Sequence, residues 1–238
     1  MMNAAFADLG LDWRYVRLPL APDLFDETVR ALPASGFHGA NVTIPHKLAA
    51  HDLADELTEA AAAIGAVNTL SFADGLIVGD NTDAGGLIDA LGTELDGVSA
   101  LVLGAGGTGR AAVWALRDAG ADVAVWNRTP ERAAELAGEF GVRHATAIEP
   151  ARVLVNVTSV GLRGEDLPAQ LDLESVVPEL VADVVYGGEP TALVRWAERR
   201  GARVVDGLEM LLRQGARSFE RWTGQAAPLE VMRRALRR

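Results

Sequence analysis

Two groups of residues in this 238-residue chain have the types and spacing that chemistry requires. The first is Gly104-Ala105-Gly106-Gly107-Thr108-Gly109-Arg110, which follows the apolar run SALVL and satisfies the pattern G-x-G-x-x-G. Such glycines let the main chain approach a pyrophosphate, and the free N–H groups at a helix N-terminus favour an anion. A glycine-rich turn without a ligand is the alternative, but the strand before it and the helix after it favour a dinucleotide site.

The residues after the next strand-like run indicate which dinucleotide. This run, residues 122–126, is not followed by the acidic residue that binds an unphosphorylated adenosine ribose; Asn127, Arg128, Thr129 and Arg132 follow instead. A carboxylate repels a 2′-phosphate, whereas guanidinium groups form charge-assisted hydrogen bonds with it. We therefore expect NADP rather than NAD. The alternative is a pair of solvated arginines beside a threonine that only caps the next helix.

The second group is polar where a core would be apolar. Asn41, Thr43 and Lys47 lie at the end of a short β-rich run, and Asn68 and Asp83 lie in later polar turns. A lysine beside a carboxylate is a workable acid/base pair, because the ammonium stabilises a developing alkoxide and transfers a proton. Taken singly, the lysine is typical of a protein surface and the aspartate of a turn, and the spacing alone does not bring them together.

The composition excludes several classes of protein. A formal charge of −11 and a pI of about 4.8 argue against nucleic acid or an anionic membrane as the main partner. Cysteine is absent, and His46 and His51 lack the i,i+4 spacing of a zinc pair, so we expect no metal site. No apolar run approaches the roughly 18 residues that cross a bilayer, and residues 1–14 resemble no targeting segment, so we expect a cytoplasmic protein.

The hydrophobic pattern predicts an α/β protein. In the first third it predicts strands at 13–20 and 40–44, helices at 24–32 and 48–64, and a hairpin of strands 67–72 and 76–79 around a three-residue turn at 73–75. After a helix at 84–91, strands at 99–103, 122–126, 153–157 and 180–185 alternate with helices at 110–119 and 130–140. Such alternation predicts a doubly wound parallel sheet.

Seven motifs, taken together, resemble one family. GANVTIPHK, GAVNTL, GDNTD, GAGGTGRA, NRTPERA, NVTSVG and DGLEMLLRQGA occur in the order found in shikimate dehydrogenases and extend over nearly the whole chain. The resemblance implies two domains: an α/β substrate-binding domain at 1–83, completed by 207–238, and a Rossmann-like NADP-binding domain at 84–206. It also implies reversible NADPH-dependent reduction of 3-dehydroshikimate to shikimate, on the route to chorismate and the aromatic amino acids.

The resemblance assigns roles position by position. Lys47 and Asp83 match the catalytic pair. The residues that match the substrate pocket are Asn41, Thr43, Asn68, Tyr186 and Gln214. The residues that match cofactor contacts are Gly104, Ala105, Gly106, Gly107, Thr108, Gly109, Arg110, Asn127, Arg128, Thr129, Arg132, Thr158, Gly207 and Met210.

The chain departs from the family pattern at its beginning. Residues 2–6 resemble the family's segment just after a Ser-x-Ser-Pro motif, so the chain is expected to be N-terminally shortened, through either a misassigned start or a real truncation. Quinate or aminoshikimate dehydrogenase activity is one alternative, and a non-catalytic NADP-binding homologue is another. In each case the expected partner is a small molecule, and the protein is a monomer or a homodimer.

Overall fold

The computed structural model describes residues 1–168, 170–187 and 189–237. The chain forms two compact units, one made of Met1–Gly86 with Leu212–Arg238 and the other of Leu87–Leu211. In the described residues, every helix is too short or too polar to span a bilayer.

The first unit contains a four-stranded sheet. Its elements, up to the helix that leads out of it, are α1 (Met2–Asp8), α2 (Phe25–Ala31), β1 (Gly39–Asn41), α3 (Lys47–Leu53), β2 (Glu56–Leu57), α4 (Glu59–Ile64), β3 (Thr69–Ala73), β4 (Leu76–Asp80) and α5 (Thr82–Leu91), with short 3-10 turns at Pro22–Leu24 and Pro33–Ser35. The strand order is β1-β3-β4-β2, in which β3 pairs antiparallel with both β1 and β4. Val67, Leu70 and Ile77 pack with α2 and α3 in one apolar core.

The β3–β4 hairpin has a two-residue turn, so the predicted three-residue turn is wrong. Ala73 pairs directly with Leu76, which leaves only Asp74 and Gly75 outside the ladder. Both turn residues have positive φ, 52° and 80°. An Asp-Gly pair of this conformation matches the twist of antiparallel strands, and this explains the tighter connection.

The predicted strand at residues 13–20 is also wrong, since these residues belong to no strand. The side-chain amide of Asn3 takes the place of a neighbouring strand at Tyr15. Asn3 Oδ1 accepts the Tyr15 N–H at 2.6 Å, and Asn3 Nδ2 donates to the Tyr15 carbonyl at 3.0 Å. Main-chain groups that are satisfied in this way need no ladder.

Two further predictions for this unit need correction. The strand expected at 40–44 ends at Asn41, because the Thr43 carbonyl accepts the His46 N–H in a turn. The single helix expected at 48–64 is divided into α3 and α4 by β2. Thr58 restarts the helix, since its hydroxyl caps the Ala61 N–H at 3.2 Å.

The second unit contains a six-stranded parallel sheet. Its elements are β5 (Ser99–Leu103), α6 (Gly107–Asp118), β6 (Asp122–Trp126), α7 (Pro130–Phe140), β7 (Arg143–His144), β8 (Val153–Asn156), β9 (Leu180–Asp183), α8 (Ala192–Arg199) and β10 (Arg203–Val205), and they precede α9 (Gly207–Thr223) and α10 (Leu229–Leu236). The strand order is β10-β9-β8-β5-β6-β7, so the direction of winding reverses between β5 and β8. This topology confirms the predicted doubly wound α/β fold.

Strand β5 is buried on both faces of the sheet. Val102 packs into one apolar core with residues of α6 and α7, while Leu101 and Leu103 pack into a second core with residues of α8. All three are fully buried. Burying such side chains stabilises the fold by about 1.5–3 kcal/mol each, which holds the loop that follows β5 on a rigid base.

Candidate active site

The sheet of the first unit brings three polar motifs to one edge. Its register places Asn41 of β1 beside Thr69 of β3, and Thr69 beside Asp80 of β4. Because β3 runs antiparallel to both neighbours, the end of β1, the start of β3 and the end of β4 coincide. Asn68 directly precedes β3, and Asp83 lies in the first turn of α5, which follows β4.

At this edge Lys47 and Asp83 form a buried ion pair between Lys47 Nζ and Asp83 Oδ2. Lys47 is the first residue of α3, where the positive end of the helix dipole disfavours a cation. Asp83 lies in the first turn of α5, where a carboxylate is favoured. The structure thus brings together the two residues that sequence spacing alone left apart.

Lys47 is the only lysine in the chain; every other residue among the 22 lysines and arginines is an arginine. A guanidinium does not lose its proton in proteins, whereas an ammonium can. The one lysine ammonium of the chain therefore lies in a buried site beside a carboxylate.

The orientation of the Asn68 amide is fixed by a main-chain donor. The Thr82 N–H donates to Asn68 Oδ1 at 2.8 Å, so the Asn68 Nδ2 group must face the other way. There it donates to Asp83 Oδ1 at 2.8 Å. Both oxygens of the Asp83 carboxylate are therefore held, one by Asn68 and one by Lys47.

Ser218 is a site residue that the sequence reasoning missed. It lies on α9, one turn after Gln214, and is fully buried. Its hydroxyl accepts from Asn41 Nδ2 at 2.9 Å and lies 2.9 Å from the Thr69 hydroxyl and 3.1 Å from the Thr82 hydroxyl. The i,i+4 spacing from Gln214 on a helix was the signal that could have found it.

The remaining predicted substrate residues are placed as follows. Gln214 Oε1 lies 3.4 Å from Asn68 Nδ2, and a side chain on Gly86 would collide with the Gln214 main chain at 2.7 Å. Only glycine at position 86 allows this close approach of α5 and α9. Thr43 is exposed just after β1. Tyr186 lies in the second unit, after β9, and is 49% exposed.

In the second unit, the glycine-rich loop has the shape that a pyrophosphate needs. A side chain on Gly109 would collide with the Gly104 carbonyl oxygen, so the tight packing of loop and helix requires glycine there. Gly106 is the N-cap of α6, has no side-chain cap bond, and faces open space. The N-cap of α6 thus contributes no side chain to the place where an anion binds a helix N-terminus, and the loop fits a dinucleotide phosphate.

The residues after β6 fit a further phosphate. Arg128 and Arg132 are exposed, and neither forms an ion pair with any residue in the described part of the chain. Thr129 is the N-cap of α7, but its hydroxyl makes no cap bond, while Asn127 Nδ2 donates to the Thr129 carbonyl at 2.9 Å. Two cations and one hydroxyl therefore remain open to an anion such as a 2′-phosphate.

Arg110 differs from the other predicted cofactor residues. Its guanidinium forms a two-bond ion pair with the Glu139 carboxylate and lies over the Phe140 ring, 5.3 Å from the ring centre. The hydrogen bonds from Arg110 lower the pKa of Glu139 below its usual value. The side chain of Arg110 therefore joins α6 to α7.

The other predicted cofactor residues follow the ends of the parallel strands. Ala105, Gly107 and Thr108 belong to the loop after β5 and the start of α6, and Thr158 lies two residues after β8. Gly207 begins α9, two residues after β10, and Met210 is buried in the core of the second unit. Within the residues that the structure describes, no group of three or more acidic or histidine side chains could hold a metal ion.

Three family models match successive parts of this chain. Residues 1–70 match the shikimate dehydrogenase substrate binding domain, residues 87–159 the shikimate/quinate 5-dehydrogenase model, and residues 207–237 the shikimate 5′-dehydrogenase C-terminal domain.

Whole proteins and a solved structure agree with these models. The NADP(+) shikimate dehydrogenase of Methanothermobacter thermautotrophicus is 43% identical over 258 residues, which span 100% of this chain and 90% of that relative. The corresponding protein of Anaeromyxobacter dehalogenans is 45% identical, spanning 99% of this chain and 89% of its own. The crystal structure of shikimate 5-dehydrogenase from Thermus thermophilus with NADP(H) and shikimate has a TM-score of 0.89 at 42% identity, covering 99% of this chain and 92% of that chain. The chain with the single buried lysine therefore belongs to the shikimate dehydrogenase family.

Proposed function

We propose that this protein catalyses the reversible NADPH-dependent reduction of 3-dehydroshikimate to shikimate, in the biosynthesis of chorismate and the aromatic amino acids. The observation that carries the proposal is the buried Lys47–Asp83 pair, whose carboxylate also accepts a hydrogen bond from the Asn68 amide. The names of the relatives, which act with NADP(+) on shikimate, support the choice of cofactor and substrate.

In this proposal Lys47 supplies the proton of the reaction. When bound, NADPH supplies the hydride that reaches the ring carbonyl carbon. The Lys47 ammonium hydrogen-bonds the carbonyl oxygen, stabilises the negative charge that develops there and donates one proton to give the hydroxyl. In the reverse direction Lys47 accepts that proton from the shikimate hydroxyl.

Asp83 orients the ammonium and is itself oriented by Asn68. With its oxygens held by Lys47 Nζ and Asn68 Nδ2, the carboxylate has little freedom to rotate. It also keeps a positive charge favourable in a buried place. Such fixed geometry favours proton transfer, because the donor and the acceptor are already aligned.

Recognition of the substrate hydroxyls is assigned to Asn41, Thr43, Asn68, Gln214 and Tyr186. A pocket of amide and hydroxyl groups discriminates strongly against analogues that lack a hydroxyl, because its own polar groups would then stay unpaired. One of these residues, Asn41, can form a further hydrogen bond with a substrate hydroxyl. Its Nδ2 group contacts the Ser218 and Thr69 hydroxyls and the Asn68 carbonyl. Within the described residues, its Oδ1 accepts from the Tyr15 hydroxyl alone, and an amide oxygen can accept a second hydrogen bond.

The proposal divides the tasks between the parts of the chain. The substrate-binding part comprises residues 1–83 with 207–238, and the NADP-binding part comprises residues 84–206, to which Gly207 and Met210 add cofactor contacts. For the cofactor, the N-terminus of α6, whose N-cap Gly106 has no side chain, supports pyrophosphate binding. Arg128 and Arg132, which form no ion pair within the described part of the chain, support a 2′-phosphate. The proposal also places the protein in the cytoplasm, as a monomer or a homodimer.

The test is turnover by the purified chain. We expect NADPH oxidation with 3-dehydroshikimate, and NADP(+) reduction with shikimate, followed by absorbance. Quinate is the matched alternative substrate, because one matching family model is described as shikimate/quinate 5-dehydrogenase. If quinate is turned over faster than shikimate, the proposed substrate is wrong and the protein is a quinate dehydrogenase. NADPH binding without turnover of any of these compounds would instead indicate a non-catalytic homologue.

A further inference from the structure

Asp183 is a buried carboxylate in the second unit that takes no part in the proton transfer described above. It ends β9 and is 1% exposed. Its Oδ1 accepts from Asn156 Nδ2 at 2.9 Å and from the Val185 N–H at 3.1 Å, while its Oδ2 accepts from the Thr191 hydroxyl at 2.5 Å. Removing a carboxylate from water costs free energy, even when three hydrogen-bond donors surround it. A group buried at this cost calls for a functional explanation.

The first two donors belong to the ends of neighbouring strands. Asn156 ends β8, and its Oδ1 accepts both the N–H of Thr158, at 3.1 Å, and the Thr158 hydroxyl, at 2.7 Å. Thr158 in turn accepts the Val160 N–H at 3.1 Å. The chain of bonds from Asp183 thus holds the loop after β8, in which Thr158 is a proposed NADP contact.

On the other side, the same oxygen of Asp183 holds the loop after β9. The Val185 N–H that it accepts immediately precedes Tyr186, a proposed substrate contact. The third donor, Thr191, fixes the remaining oxygen. Its hydroxyl is also the N-cap of α8, because it accepts the Val194 N–H at 3.1 Å. The carboxylate is therefore anchored on α8 and has Oδ1 left to join the two loops.

We propose that Asp183 is a positioning residue that couples the loop of Thr158 to the loop of Tyr186, so that one oxygen atom sets both the cofactor contact and the substrate contact. This inference rests on the proposed function for the roles of Thr158 and Tyr186. Its physical basis is that a single acceptor with two donors cannot move toward one loop without loosening the other.

The test compares three variants with the wild-type chain. D183L removes both acceptors at similar volume, whereas D183N keeps an amide oxygen that can accept from Asn156 and Val185. N156A releases Thr158 but leaves the Val185 bond in place. We measure NADPH and shikimate dissociation constants by calorimetry, together with kcat and KM, on chains whose circular dichroism matches the wild type.

We expect D183L to weaken NADPH and shikimate each by about tenfold or more, with a smaller loss in kcat. In D183N the dissociation constant of each ligand should rise by about threefold or less. In N156A the dissociation constant of NADPH should rise by about tenfold, and that of shikimate by no more than about threefold. If Asp183 had only a structural role, its replacement would lower the melting temperature but leave both dissociation constants of the folded variant at their wild-type values.

The proposal is overturned if folded D183L binds both ligands as the wild type does, or if D183N is as damaged as D183L. If D183L does not fold, N156A decides, and an unchanged NADPH affinity in that variant overturns the coupling. Absence of turnover in the wild-type chain would count against the proposed function alone, since the calorimetric comparison does not depend on catalysis.

Discussion

The Thr82 N–H and the Asn68 side-chain oxygen are 2.8 Å apart, and this one bond decides which way the Asn68 amide faces. A main-chain N–H can only donate, so the amide nitrogen must turn toward Asp83. The catalytic carboxylate of the proposed reaction is thus oriented from the main chain of α5, through Asn68, rather than by Lys47 alone.

Asn68→Ala should lower kcat by about tenfold or more, because a hydrogen bond to a charged group contributes about 1.5–3 kcal/mol. Steady-state kinetics measure the change. Asn81→Ala is the matched control: Asn81 is also a buried amide in this turn, but its partners are the Ala66 carbonyl and the Ala84 N–H. It should lower stability and leave kcat near the wild-type value. Equal losses of kcat in both variants would remove the special role of Asn68.

Lys47→Ala should reduce turnover by roughly a hundredfold or more, the scale of a positioned acid/base group, and leave NADPH binding nearly intact. Lys47→Arg keeps the charge without a transferable proton, so it should also be slow. Because Lys47 is the only lysine, isotope labelling of lysine gives one side-chain NMR signal that reports its protonation directly. Unchanged turnover in Lys47→Ala would show that Lys47 does not act as the acid/base group of the reaction.

Replacement of Arg128 and Arg132 by glutamine should weaken NADPH far more than NADH, because only NADPH has the 2′-phosphate. Calorimetric dissociation constants for both cofactors are the measurement. Arg199→Gln, at an exposed arginine in the last turn of α8, is the control and should change neither. Equal losses for NADPH and NADH in the double variant would show that these arginines do not read the phosphate.

Ser218→Ala should raise the KM for shikimate by about threefold to tenfold and change kcat little, since one neutral hydrogen bond contributes about 0.5–1.5 kcal/mol. The hydroxyl holds Asn41, a proposed substrate residue, and does not touch Lys47 or Asp83. Ser99→Ala, in the second unit, is the control for loss of a serine hydroxyl. A fall in kcat with an unchanged KM would contradict this assignment.

Burial raises the pKa of Asp183 above its ordinary value of 3.8, and the bonds from Thr191, Val185 and Asn156 only partly offset this. The folded chain therefore binds this proton more tightly than the unfolded chain. The resulting stabilisation is complete below about pH 3.8 and is lost as the pH rises through the higher folded pKa. In urea unfolding, the free energy of unfolding of wild type minus that of D183N should fall as the pH rises above about 4. A pH-independent difference would contradict the raised pKa.

Local patterns predicted the fold class of the second unit and most of its elements, but not the short strands β7 and β10 or the helix α8. The continuous apolar run of β5, the glycines after it and the alternation of strands and helices predicted a doubly wound sheet, and the strand order confirms it. In a parallel sheet covered on both faces, each strand is buried on both sides, so each strand can be identified from its own continuous apolar run. The first unit was harder. No strand forms at 13–20, and at Tyr15 the side chain of Asn3 pairs with the main-chain groups that a neighbouring strand would otherwise satisfy.

The sequence by itself determined the residue types of the site: one lysine, an aspartate, several amides, and glycines and arginines in order along the chain. Only the tertiary structure decided which of them meet. Lys47 and Asp83 are 36 residues apart, and Asn41 and Ser218 are 177 apart. Periodicity reports the face of a single helix or strand, whereas such contacts depend on the register of β1, β3 and β4 and on the packing of α9 against them.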